Sequence, residues 1–192
     1  NVAAGGLTAS SATITWTTNY NSDSQVEYGL TAAYGQSAPT TPDPTLVNGH
    51  SQALSGLTAT TLYHYRVKSR DAAGNLAVSG DFSFTTGSLV ISNVATGGVT
   101  ASGATITWTT NENSDSQVEY GVDTGYGILA PTTPNPALVT AHSQVLSGLT
   151  AGTVYHYRVR SRDAVGNLAV SGDFSFTTTQ SGSIPLDGLA SL

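Results

Sequence analysis

Along the first half of the chain, apolar side chains alternate with hydroxyl, amide and charged ones in short runs. Ala12, Ile14 and Trp16 alternate with Thr13, Thr15 and Thr17, and Val26 and Tyr28 alternate with Gln25 and Glu27. Tyr63, Tyr65 and Val67 alternate with His64, Arg66 and Lys68, and Phe82 and Phe84 with Ser83 and Thr85. In an extended chain successive side chains point to opposite faces, so each run predicts a strand with one face toward a core. No apolar stripe follows the helical period of about 3.6 residues, and β-branched, hydroxyl-rich runs disfavour helix. Gly5-Gly6, Asn21-Ser22, Ser55-Gly56 and Ala73-Gly74-Asn75 supply turns between the runs. About seven short strands in about 90 residues predict an antiparallel sandwich.

The second half of the chain repeats the first. Residues 1–86 align with 93–178 at a constant offset of 92 without a gap, and 67 of the 86 pairs are identical. ATITWTTN recurs from Ala12 and Ala104, SDSQVEYG from Ser22 and Ser114, and GNLAVSGDFSFTT from Gly74 and Gly166. The chain therefore divides into a first domain (1–86), a linker (87–92), a second domain (93–178) and a tail (179–192). Recent duplication and selection for two equivalent modules both account for such identity.

Three features resemble a fibronectin type III domain: Trp16 on the second strand, the GLTATTLYHYRV run that holds Tyr63, and the closing DFSFTT. The second repeat matches with Trp108, Tyr155 and its own DFSFTT. The succession VEYG, YG, HS, LSGL, YHYRV, D and GN is similar to modules of bacterial extracellular proteins. This resemblance covers nearly the whole chain except the tail. It implies an all-β protein of two tandem immunoglobulin-like sandwiches, with Tyr63 and Tyr155 as corner tyrosines bonding back to the preceding loop. The fold hosts adhesion, spacing and binding alike, so function must come from particular residues.

Composition narrows the choice. Of 192 residues 39% are hydrophobic, enough for a core, yet only 9% are charged, and 29 Thr and 23 Ser solvate the surface instead. The absence of cysteine excludes disulfides, zinc–thiolate sites and thiol catalysis. No run approaches about 18 apolar residues, so no membrane-spanning helix is expected. Six Lys and Arg against twelve Asp and Glu give a net charge of −6, a poor footprint for a nucleic-acid partner. The chain opens on Asn1 and holds no methionine, from which a processed or excised product is expected.

Few residues offer chemistry. His50 and His142 share the parity of Leu54 and Leu146 and are expected at the core margin, while His64 and His156 point outward beside arginines. No pair of histidines within a repeat has metal-ligand spacing, and no serine sits in a recognisable nucleophile motif. Asp71 to Asn75 and Asp163 to Asn167 carry too few carboxylates for a calcium cage of about six to eight oxygens and read as tight loops. No cofactor, metal or catalytic set is expected. All six cations fall on two equivalent strands, Arg66, Lys68 and Arg70, then Arg158, Arg160 and Arg162. Each trio makes an outward row about 13 Å long, either balanced across strands by Glu27 and Glu119 or available to an acidic surface. Residues 38–44 and 130–136 read as exposed, stiff Pro/Thr loops, in which Thr40, Thr41, Thr132 and Thr133 are candidate O-glycan acceptors.

The two ends do not match. The second repeat is preceded by Leu-Val-Ile-Ser (89–92), which reads as the first half of its first strand, and the first repeat has no equivalent. The tail carries Ile184, Leu186, Leu189, Ala190 and Leu192, a strand-like apolar set. These patterns predict an extracellular structural subunit whose tail completes the first domain of the next subunit, against an acceptor region of Asn1, Val2, Ala3, Ile14 and Trp16. Donor and acceptor differ, so the product is a head-to-tail homopolymer. The alternative is a spacer or carbohydrate- or surface-binding accessory module of a larger secreted or cell-surface protein. Its mark would be an exposed aromatic platform, for which Tyr20, Tyr34 and Tyr126 are candidates. An enzyme is the third and least supported class.

Overall fold

Two unusually long strands organise each repeat. In a computed structural model of the chain, which describes residues 1–182, the first repeat forms β1 (Val2–Gly5), β2 (Ser11–Gly29), β3 (Gln36–Ser55), β4 (Leu62–Arg70), β5 (Leu76–Val78) and β6 (Phe82–Thr85). The second forms β7 (Ile91–Gly97), β8 (Gly103–Gly121), β9 (Ile128–Ser147), β10 (Val154–Arg162), β11 (Leu168–Val170) and β12 (Phe174–Thr177). The chain is all-β, two tandem antiparallel sandwiches. Two compact units hold these sheets, one of Asn1–Val90 with Arg162–Asn167, the other of Ile91–Ser161 with the described residues 168–182.

The long strands pass from one layer of each sandwich to the other. Residues 11–17 of β2 pair with β1 and with the end of β3. The register then shifts between Thr17 and Ser22, and residues 25–29 pair with β4. β8 bends in the same way between Thr109 and Ser114. A strand that changes layer through such irregularities makes the corner of a sandwich. The turn expected at Asn21-Ser22 is therefore a bend inside β2. Ser22 is buried there, shares a hydrogen bond with Thr18 Oγ1 at 3.1 Å and bridges to Asp71, which keeps the backbone extended.

The Pro/Thr segments also differ from expectation. Residues 38–44 and 130–136 lie within β3 and β9 rather than in loops. Proline cannot donate to a ladder, but its carbonyl still accepts. Gln25 Nε2 donates to the Pro39 carbonyl and Gln117 Nε2 to that of Pro131, both at 3.1 Å. A buried glutamine side chain thus ties each proline-bearing edge to the sheet. The first strand of the second repeat begins at Ile91, so only Ile91 and Ser92 of residues 89–92 join it.

Each interior is built around a tryptophan and a histidine. Trp16 stacks on His50 with ring centroids 4.7 Å apart, and Trp108 on His142 at 4.9 Å. The indole nitrogens donate to Ser69 Oγ and Ser161 Oγ at 2.9 Å, meeting the need of a buried N–H for an acceptor. His50 shares hydrogen bonds with Ser24 Oγ and Thr18 Oγ1, and His142 with Ser116 Oγ and Thr110 Oγ1. Burial pushes the imidazoles of His50 and His142 below the usual histidine range, with Asp23 and Asp115 opposing weakly. Ile14, Val26, Leu54, Tyr65 and Phe84 fill the rest of the first core, and Ile106, Val118, Leu146, Tyr157 and Phe176 the second. The hydroxyl of Tyr63 accepts from Thr58 N and that of Tyr155 from Thr150 N, both at 3.1 Å, which is the corner bond that the resemblance implies.

Candidate functional site

The turn after β2 raises a tyrosine out of the sheet. Tyr34 has φ 61° and Tyr126 φ 56°, a left-handed conformation that costs a non-glycine residue roughly 1–2 kcal/mol. The turn closes through Tyr34 N donating to Thr31 O at 2.9 Å and Tyr126 N to Asp123 O at 3.1 Å. Its path crosses the strand it left: a Cβ at Gly29 would lie 1.7 Å from the Tyr34 carbonyl, and one at Gly121 1.9 Å from that of Tyr126. Only glycine fits there. Strained residues of this kind persist where the surroundings fix them and cluster at functional places.

The raised tyrosine is fixed by charged neighbours. The Arg66 guanidinium lies over the Tyr34 ring, 4.7 Å from its centroid, and Arg158 lies 4.8 Å from that of Tyr126. Tyr34 Oη donates to Asp81 Oδ1 and Tyr126 Oη to Asp173 Oδ1, both at 3.0 Å. The second oxygen of each aspartate meets His64 Nδ1 at 2.8 Å or His156 Nδ1 at 2.9 Å. These histidine contacts, with the tyrosine hydroxyls, hold the Asp81 and Asp173 carboxyls below the usual carboxylate range. Partial burial and the adjacent aspartate push the Tyr34 and Tyr126 hydroxyls up.

Beside each tyrosine, a cross-strand row of charge runs over the outer face. Glu27 accepts from Arg66 Nε at 2.6 Å and from Lys68 Nζ at 3.0 Å. Burial works against its ionisation, but these two cations outweigh burial and hold its carboxyl below the ordinary range. In the second repeat Glu119 accepts from Arg158 Nε and, at 2.7 Å, from Arg160 Nη1. Arg70 and Arg162 turn aside, each donating from Nη1 to the carbonyl of Gly74 or Gly166. The registers set Leu129, Glu119 and Arg158 side by side on one face, where the first repeat has Ser37, Glu27 and Arg66. Around Tyr126 an open hollow of about 260 Å³ is lined by Glu119, Gly125, Ile128, Leu129 and Arg158.

The other candidates are placed separately. Thr40, Thr41, Thr132 and Thr133 are exposed along β3 and β9. Tyr20 is 70% exposed, and Glu112 takes its place in the second repeat. Asp71 accepts from Ala73 N, Asn75 N and Asn75 Nδ2, so its oxygens close the loop. Among the described residues no group of His, Asp and Glu could hold a metal ion, and no helix is long and apolar enough to cross a membrane. Val2 and Ala3 pair with Trp16 and Thr15, while Ile14 and Trp16 are buried within the first sandwich. Asn1, Ala3, Trp16, Thr17 and His50 border a hollow of about 320 Å³. Ile184, Leu186, Leu189, Ala190 and Leu192 lie outside the described residues.

Tyr34 and Tyr126 are legible in the sequence as candidate platforms, whereas the guanidinium over each ring, the supporting aspartates, and Ile128 and Leu129 are not. One signal was available. Six of the eight positions from 30 to 37 differ from 122 to 129, although Tyr and Gly at the turn are kept, against thirteen of the other 78 aligned positions.

The family described as "Purple acid Phosphatase, N-terminal domain" matches residues 1–86 and 91–178. Endoglucanase B of Cellulomonas fimi is 32% identical over 200 residues, which is 95% of this chain and 18% of that protein. Chitinase A1 of Niallia circulans is 31% identical over 186 residues, 90% of this chain and 24% of that protein. The chain thus spans less than a quarter of the length of these curated relatives. Among solved structures, a two-domain fibronectin type III segment of chicken tenascin aligns with 94% of this chain and 98% of its own, at 17% identity and a TM-score of 0.39.

Proposed function

The chain belongs to the family of purple acid phosphatase N-terminal domains, here as two tandem fibronectin type III sandwiches, and from that premise we propose that it is a non-catalytic accessory module of a larger extracellular protein acting on polysaccharides. The observation that carries this reading is the match to a chitinase and an endoglucanase over nine-tenths or more of this chain but a small share of theirs. The chemistry of the outer face agrees. Glu27, Glu119, Asp81 and Asp173 are each engaged by two partners and so fix neighbouring side chains. A polymer such as chitin is met outside the cell, which supports an extracellular place for the module. The test replaces the matching segment of Chitinase A1 with this chain. Hydrolysis of insoluble chitin should be retained by the exchange and reduced when the segment is deleted.

The comparisons support this module over the head-to-tail filament with strand donation by Ile184, Leu186, Leu189, Ala190 and Leu192. Exposure of Thr40, Thr41, Thr132 and Thr133 supports O-glycan attachment, which intact-mass measurement on native material would reveal.

A further inference from the structure

We propose that the second repeat, and not the first, binds an acidic saccharide at the hollow around Tyr126, taking a uronate residue by its carboxylate and its C–H face. The proposal rests on the accessory-module reading and adds a ligand class to it. Arg158 is the centre of the site. Its Nε is held by Glu119 and its plane by the Tyr126 ring, so the side chain is fixed before any ligand arrives. Among the described residues no acceptor meets its Nη1 or Nη2, and the side chain is 39% exposed. A fixed guanidinium fork with two open nitrogens matches a carboxylate bidentately. Glu119 is a positioning residue, since both its oxygens are already taken by Arg158 and Arg160.

The apolar part of the site sets the two repeats apart. Leu129 stands beside Glu119 and Arg158 on the same face, and Ile128 borders the same hollow; they are 36% and 48% exposed. An exposed leucine beside a fixed cation offers the C–H face of a sugar ring a place to lie while its acid group meets the arginine, and Ile128, which alternates to the other face of β9 opposite Tyr120, borders the hollow at its edge. The first repeat keeps Arg66, Tyr34 and Glu27 in the same arrangement but carries Gln36 and Ser37 where Ile128 and Leu129 stand. The concentration of differences at positions 30–37 against 122–129 is what two sites on one frame with different ligand demands would leave.

The test is an amide NMR titration of the ¹⁵N-labelled full chain with tri-galacturonic acid to about 10 mM, with a neutral trisaccharide as control. Shifts are expected at Gly125, Tyr126, Gly127, Ile128, Leu129 and Arg158, and not at Tyr34, Gly35 or Arg66. I128Q/L129S gives the second repeat the residues of the first and should weaken binding about tenfold or more. Q36I/S37L should bring shifts to the first repeat, and it keeps the proposal testable if the other variant misfolds. No saturable shift, an equal response to the neutral sugar, equal shifts in both repeats, or affinity unchanged by a folded I128Q/L129S would each overturn it. A failed titration beside a successful chitinase exchange would remove the ligand and leave the module reading standing.

Discussion

Trp16 and Trp108 lie on equivalent histidines and reach equivalent serines in the two repeats, while the strand beside each raised tyrosine carries Gln36 and Ser37 in one and Ile128 and Leu129 in the other. The two repeats agree in the interior and differ at the rim. Core residues are fixed by packing that a single methylene disturbs, and the buried network of Trp, His, Ser and Thr leaves no ring nitrogen without a partner. At the rim the turn geometry is kept by Gly29, Gly121, Tyr34 and Tyr126, and the side chains around it vary. A rigid frame with a variable edge is what lets one fold carry different binding faces.

Experiments on equivalent positions can break this comparison. The largest effect is expected from truncating the tryptophans: Trp16→Ala and Trp108→Ala should each cost about 3–5 kcal/mol in denaturant unfolding. Equal losses support equivalent interiors, and a clear inequality would break that equivalence. His50→Phe and His142→Phe keep a ring for stacking but take the nitrogens away from the three hydroxyls around each ring, for about 1–3 kcal/mol per variant. They also sharpen the pH behaviour. The folded histidines have pKa values below the unfolded one, so their penalty is absent above about pH 6.5 and grows as pH falls through the folded values. Stability should therefore decline from pH 7 to pH 5, and the double Phe variant should flatten that slope in urea titrations. Tyr63→Phe and Tyr155→Phe remove one corner acceptor each and should cost about 0.5–1.5 kcal/mol. Glu119→Gln, on the outer face, should change stability by less than about 1 kcal/mol.

Much of the interior was legible in the sequence. The alternation around Ile14, Trp16, Tyr63 and Phe84 placed strands and faces, and parity alone put His50 near the core. Strand continuity was harder to read. Asn21-Ser22 has turn composition, yet Ser22 is buried, pairs with Val47 and bridges to Asp71, so β2 continues through the bend. Pro39 looks like a loop residue until the Gln25 side chain, brought opposite by a register that no local pattern encodes, donates to its carbonyl. The rim was the least legible. Arg66 reaches Tyr34 only because a left-handed turn and the pairing of β2 with β4 bring them together, a contact between residues 32 positions apart.

The most direct measurement of the central claim is the exchange into Chitinase A1, read as hydrolysis of insoluble chitin. Deletion of the matching segment is expected to lower activity on the insoluble polymer and this chain to restore it, with no hydrolysis by the chain alone. A chimera no better than the deletion, a deletion without effect, or turnover by the isolated chain would contradict it.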